Sequence, residues 1–242
     1  LAMVLLIVRE LNFSDPIVDL RIFKVFGFTL AIAILMIQAL ALFSVNLLNP
    51  LFMESVLGFD AWKAGLAVAP RGIGVMLALL AVGQLSRRGY DTRPLVCGGF
   101  ILGAFEVWRM SHWRLDSPLP DVLWPIFLFG LGLGAVFPTV TALGLGQIRR
   151  ERMGFAASLF SLMINTGAAA GIAIMTNLLT ARHRVYQQHI AVHPSTTAGS
   201  TAWLMAYNDI YRVLAVVALA LAPWAMLLRR SPAGEIRETI VE

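Results

Sequence analysis

The chain has 242 residues, 58% of them hydrophobic and 14% charged, with a mean hydropathy of +0.76 and a formal net charge of +5. A soluble domain carries roughly 45–50% apolar and 25% charged residues, so this balance excludes an ordinary water-soluble globule. The single cysteine, Cys97, excludes an internal disulfide framework, and the arginines fall in short clusters between apolar runs, which fits membrane orientation rather than nucleic-acid binding.

In chain order, residues 1–8 are apolar and lack both a positive n-region and a methionine at position 1. They read as the end of a preceding transmembrane helix rather than as a signal peptide, so the sequence is expected to be part of a longer one. Residues 9–24 form a polar connector. Six candidate spans follow at 25–48, 64–85, 94–111, 122–146, 154–180 and 203–228, then a polar tail at 229–242. A hydrocarbon core about 30 Å thick takes roughly 20 apolar residues to cross as a helix. Val25–Leu48, Val122–Gln147 and Met153–Ala181 satisfy that without one charged residue. The second span carries Arg71, the third Glu106, and the sixth Asp209 and Arg212. The expected fold is an all-α integral membrane protein, with a six-transmembrane-helix domain over residues 25–228.

The connectors supply an independent test, because cytoplasmic loops collect Lys and Arg. Alternate connectors hold Arg9, Arg21 and Lys24, then Arg87, Arg88 and Arg93, then Arg149, Arg150 and Arg152, then Arg229, Arg230 and Arg237. That is twelve of the nineteen basic residues, and the alternation places both ends of the domain in the cytoplasm. On the opposite side, Asn49–Ala61 extends the first span outward, and His183–Ser200 reads as the longest polar stretch between spans. The tryptophans Trp62, Trp108, Trp113, Trp124, Trp203 and Trp224 mostly fall near expected span ends, as interfacial aromatics do.

Function-bearing residues are sought among the polar groups inside spans, where a charge costs about 2.5–3.5 kcal/mol at the centre. Arg71 follows Pro70 about two turns into the second span; it suits an anionic ligand or a carboxylate partner, and equally a side chain that snorkels outward. Glu106 with Arg109, and Asp209 with Arg212, are i, i+3 pairs that suit local ion pairing. Glu54, at the outer end of the first span, is a proton-coupling candidate together with Glu106, although a solvated carboxylate fits Glu54 as well. Gln38, Asn46, Thr139, Thr141, Asn165, Thr166, Thr176 and Asn177 either line a cavity or bond between helices. Gln38, Asn46, Arg71, Thr139 and Asn165 are the substrate-binding candidates. The pairs Gly99/Gly103, Gly130/Gly134 and Gly167/Gly171 place small residues on one helix face, for tight static packing or for sliding. His183, His189 and His193 lack acidic or cysteine neighbours, so no metal is expected. No nucleophile or phosphate-loop motif is present, so neither an enzyme nor a cofactor is expected.

Several stretches resemble one transporter family. Asp19-Leu20-Arg21-Ile22-Phe23-Lys24 before a long span is similar to the entry to the ninth helix of the fourteen-span drug:proton antiporters, the EmrB/QacA type of the major facilitator superfamily. Pro50 through Gly58, Ala64-Gly65-Leu66 and Ala69-Pro70-Arg71-Gly72-Ile73-Gly74 resemble the next segment, and one branch of the family has a similar Pro-Arg-Gly there. Gly83-Gln84-Leu85-Ser86-Arg87-Arg88 with Arg93 looks like a variant of the short basic loop of major facilitators. Gly130-Leu131-Gly132-Leu133-Gly134 with Phe137-Pro138 resembles the twelfth helix, and Ala206-Tyr207-Asn208-Asp209 the start of the last. The likeness runs from about Asp15 to Arg230.

The resemblance implies the C-terminal half of a major facilitator: helices nine to fourteen, working by alternating access with the N-terminal half that these residues do not include. It implies proton-coupled multidrug efflux of lipophilic or cationic toxic compounds across a bacterial inner membrane. The alternatives are a narrower exporter of fatty acids or siderophores, and a non-transporting remnant. Relatives in Gram-negative bacteria often work with a periplasmic adaptor and an outer-membrane channel. The chain departs from the family's pattern at Ile164 and Ala169, where Arg and Ser are usual, and at Glu54, where Gln is usual. An altered polar site is therefore expected.

Overall fold

The computed structural model describes residues 20–190 and 198–228, and every regular element among them is a helix. The expected end of a preceding helix at 1–8, connector residues 9–19, His193 and the tail at 229–242 lie outside the described residues.

A short 3₁₀ turn, Leu20–Lys24, leads into α1, Phe26–Ser55. This helix is apolar around nearly its whole circumference, a pattern that water does not tolerate. Pro50 lies inside it, and the helix runs on to Ser55, seven residues past the expected 48. Gly58, at φ 69, then turns the chain, a conformation only glycine adopts without penalty. Asp60 caps α2, Ala61–Val68, by accepting from the Lys63 amide at 2.8 Å. Pro70 has no N–H to continue the ladder, so the expected single span is two pieces: α2, then α3, Pro70–Arg87, with proline at the first helical position. A tight basic turn through Gly89 (φ 75) leads to α4, Arg93–Met110. Next come α5, Leu119–Leu145, with Pro125 and Pro138 inside, a 3₁₀ turn at Arg150–Arg152, α6, Met153–Ile190, and α7, Ala198–Met226.

Two expectations change. Residues 183–190 continue α6 instead of starting a polar loop. No glycine or proline interrupts the sequence before Pro194, and His183 is held in the helix by stacking on Trp203 of α7, ring centroids 3.6 Å apart. Among the described residues, five helical stretches, not six, are long and apolar enough to cross a membrane: Phe26–Ser55, Ala61–Arg87, Leu119–Leu145, Arg150–His189 and Gly199–Met226. The remaining helix, α4, has 18 residues and is about 27 Å long at 1.5 Å per residue, but it carries Arg93, Glu106 and Arg109.

The helices form one bundle with α1 as its hub, packed against α5, α6 and α7; α4 wedges between α5 and α7, and α3 lies against α5. Two apolar clusters fill the ends. One, around Phe52, Trp113, Tyr207 and Tyr211, sits where α1 finishes; the other, around Phe28, Phe160 and Leu228, sits where it begins. The crossings are made at glycines. Gly74 of α3 rests on the Phe127 carbonyl of α5, Gly130 of α5 on the Arg71 carbonyl, and Gly134 on the Val75 carbonyl. Gly99 and Gly132 lie against each other's carbonyls where α4 meets α5, and Gly167 and Gly171 of α6 rest on the Met36 and Leu40 carbonyls of α1. The three expected small-residue pairs therefore lie at helix contacts; a Cβ at Gly99, Gly130, Gly134, Gly167 or Gly171 would strike backbone that cannot yield, whereas one at Gly103 would meet only the Phe129 ring at 3.9 Å.

Burial is uneven. The most apolar window of α1 is 61% buried, against 17% for α2–α3 and 33% for α6. Those two elements carry much of the exposed apolar surface, including Ile73, Met76 and Leu80, and Leu162 and Ile174.

Gly130→Val and Gly167→Val should each lower the melting temperature of the purified protein in detergent, since overpacking costs about 1–3 kcal/mol. Gly83, where a Cβ would meet nothing within 4 Å, is the control: Gly83→Ala should leave the melting temperature unchanged or slightly higher. Equal losses at all three sites would mean the crossings are not tight.

Candidate functional site

Polar side chains on a helix surrounded by apolar neighbours must find partners or remain costly. The stretch of α1 from Gln38 to Asn49 has four to satisfy. Ser44 donates to the Leu40 carbonyl at 2.7 Å. Asn49, fully buried, accepts from the Tyr211 hydroxyl of α7 at 2.7 Å. Gln38 lines a cavity of about 40 Å³ with Phe100, Phe129 and three glycines, and its Oε1 has no partner among the described groups. Asn46 accepts a hydrogen bond through Oδ1 from Nη1 of Arg71.

The Arg71–Asn46 pair is the polar centre of the bundle. Arg71 begins the first turn of α3 directly after Pro70, and its carbonyl lies on Gly130. That close approach holds α3 where the guanidinium reaches across to α1. Among the described residues no carboxylate lies within ion-pair distance of Arg71. A guanidinium has five N–H donors, and one amide oxygen engages only one of them. Asn46 and Arg71 are both half-buried, so the pair is not sealed inside the bundle.

The other candidates are spread out. Thr139 is buried, donates to the Ala135 carbonyl at 2.7 Å, and lines a cleft of about 600 Å³ with Ser86, Tyr90 and Thr92 at the opposite end of the bundle. Asn165 is exposed on α6, with Ser161 Oγ at 3.5 Å. Thr141, Thr166 and Thr176 each donate to the carbonyl four residues back, a bond that satisfies a hydroxyl without any interhelical partner. Glu54 is exposed in the last turn of α1. Glu106 is sealed inside at 1% exposure, with Arg109 Nη1 3.8 Å from its Oε2 and no hydrogen bond to that oxygen. Of the seven site candidates, only Asn46 and Arg71 touch.

A second polar cluster joins α6 to α7. Asp209 accepts from the Tyr186 hydroxyl at 2.7 Å, with Arg182 at 3.8 Å and Arg212 at 4.0 Å. The expected i, i+3 pair is present, but Tyr186 and Arg182 come from the neighbouring helix and no spacing within one helix announces them. Asn208 likewise donates to the Trp113 carbonyl at 3.3 Å, across to the end of α4.

An apolar bundle with small-residue crossings, a half-buried arginine inside a span and two weakly covered helices defines a polytopic membrane protein of the transporter class. The sequence matches the Major Facilitator Superfamily over residues 6–172, and the chain belongs to that family. It is 30% identical over 190 residues to the multidrug export protein EmrB of Escherichia coli K12, covering 78% of this chain and 37% of the relative. It is 28% identical over 202 residues to the fatty acid resistance protein FarB of Neisseria gonorrhoeae, covering 82% and 40%. The colistin resistance protein EmrB of Acinetobacter baumannii is 29% identical over 178 residues, covering 72% and 35%. The chain thus spans about two fifths of the length of these relatives.

A hydrogen bond to a charged group contributes about 1.5–3 kcal/mol. Asn46→Ala should therefore lower stability by that order, and the loss should vanish when Arg71→Met is already present. Additive losses in a denaturation-based double-mutant cycle would show that the two side chains are not coupled.

Proposed function

We propose that this chain is the second, six-helix half of a proton-coupled multidrug efflux transporter that works by alternating access. The observation that carries the reading is the Arg71–Asn46 pair, a half-buried polar anchor that joins the hub helix to the weakly covered α3. In a two-half transporter the substrate site lies near the midplane between the halves. The uncovered faces of α3 and α6 suit contact with a first half, which is consistent with a match that covers about two fifths of the relatives' length. The names of those relatives support export of toxic compounds.

In this reading α4 is the sixth span, its charges met by the Glu106–Arg109 pair and by Arg93 at the basic end. The four Lys/Arg clusters lie on the cytoplasmic side of a bacterial inner membrane, and both ends of the domain face the cytoplasm. Lipophilic cargo is held mainly by aliphatic and aromatic contacts, with Arg71, Asn46 and Asn165 as polar anchors. Gln38 and Thr139, both buried, are further polar contacts, Gln38 in a small cavity between α1, α4 and α5 and Thr139 in the cleft at the other end of the bundle. Of the two proton candidates, Glu54 is exposed and Glu106 is buried. A periplasmic adaptor and outer-membrane channel complete the export path where the outer envelope requires them.

One observation favours a narrower cargo. Spare donors on a guanidinium without a carboxylate neighbour suit a lipophilic acid, which agrees with the fatty-acid resistance in the name of the gonococcal relative.

Ethidium accumulation in a pump-deficient bacterium tests the reading, using the full reading frame around this segment with and without a protonophore. Lower accumulation than the empty vector, abolished by the protonophore, is the expected result. Protection from long-chain fatty acids without any effect on ethidium would replace multidrug export with the narrower exporter. The 242-residue chain expressed alone should insert without transporting.

A further inference from the structure

Outside the Arg71 site, an unexplained polar feature lies on the rim where α4 ends and α5 begins. Two cavities, of about 480 and 500 Å³, meet there and share two lining residues, Arg109 and Asp121. These side chains carry opposite charges, yet neither has a well-made ion pair. Arg109 reaches only the buried Glu106, at 3.8 Å, too long for a hydrogen bond. Asp121 has no basic group within ion-pair distance among the described residues. The neighbouring loop charges are already used: Arg114 pairs with Asp116 at 3.1 Å.

The surroundings are those of a membrane interface. Trp108 and Trp124 are half-exposed at the mouths of the two cavities, with Trp124 stacked on Phe127 and Pro70 forming the far wall. Exposed tryptophans of this kind mark the headgroup level of a bilayer. Below Trp108, the exposed Phe105 and Ile101 continue down the same face of α4 at helical spacing, giving an apolar track toward the membrane interior. A molecule that fills this place needs an anionic group for Arg109, a cationic group with N–H donors for Asp121, and hydrocarbon for the track.

We propose that this rim groove binds a phospholipid with a zwitterionic, primary-amine headgroup, its phosphate on Arg109, its ammonium on Asp121 and an acyl chain along Phe105 and Ile101. Phosphatidylethanolamine has that chemistry. Phosphatidylglycerol offers Asp121 no cation, and the quaternary nitrogen of phosphatidylcholine has no N–H to donate. An ammonium between Asp121 and the face of Trp124 is further favoured by the ring quadrupole. The site depends on the membrane fold and not on which cargo is exported.

The test is lipid retention by the full-length transporter, purified and exchanged into an equimolar mixture of phosphatidylethanolamine, phosphatidylglycerol and phosphatidylcholine, then read by native mass spectrometry. The wild type should keep phosphatidylethanolamine in preference to the other two. Asp121→Asn should cut that retention about tenfold, the loss of one charge-assisted hydrogen bond, bringing it to the level of phosphatidylcholine. Arg109→Gln should lower retention of all three lipids, since each carries the phosphate, and Arg114→Gln should leave the wild-type pattern unchanged. If Arg109→Gln elutes as aggregate, Asp121→Asn alone decides, because the residue is exposed and Asn retains its shape. Equal retention of the three lipids by the wild type, or an ethanolamine preference that survives Asp121→Asn, would overturn the proposal. Retention is measured without transport, so a protein that fails to export ethidium can still pass this test.

Discussion

The organisation of this bundle depends on helix backbones lying directly against one another at glycines. Where Gly130 meets the Arg71 carbonyl, and Gly167 and Gly171 meet the carbonyls of α1, the separation is set by the absence of a Cβ. In lipid there is little hydrophobic drive between helices, so close van der Waals contact supplies much of the association. The same contact has a chemical result. With α3 drawn onto α5, the first turn after Pro70 sits close enough to the hub for the Arg71 side chain to reach Asn46. A packing device and a polar site are thus one arrangement.

The division of polar groups follows from the solvent. Hydroxyls on α5 and α6 return to their own helix carbonyls four residues back, which satisfies them without tying helices together. The amides of Asn177 and Gln147 do the same, but several other amides, phenols and charges take partners from a neighbouring segment. They bridge: Asn49 with Tyr211, Asn208 with the end of α4, Tyr186 with Asp209, Arg71 with Asn46. The hub helix holds two of these bridges, and it is also the most buried.

Much of this was legible in the sequence. Charge-free runs and alternating basic clusters located the helices, and the spacing of Gly99/Gly103, Gly130/Gly134 and Gly167/Gly171 marked the contacts. Helix ends were less legible, because hydropathy registers where lipid stops while a helix ends where capping or a breaker stops it. α1 and α6 therefore run on to Ser55 and Ile190. The site was legible in part. Arg71 and Asn46 stood out singly as polar residues in apolar helices, but their contact spans 25 residues and two helices, which no periodicity reports. The links of Tyr186 and Arg182 to Asp209 were invisible for the same reason. Thr139 and Asn165 have the right chemistry, yet they face different surroundings from Arg71, and position on a helix face is decided by the neighbours.

The buried bond between Asn49 and Tyr211 joins residues 162 positions apart. Translation proceeds at about 5–20 residues per second, so Asn49 emerges on the order of ten seconds before its partner exists. During that interval the Asn49 Oδ1 has no Tyr211 hydroxyl to accept from. The hub helix thus receives one of its buried hydrogen bonds only when the final helix has been made, and a chain that stops short of Tyr211 leaves that oxygen unsatisfied.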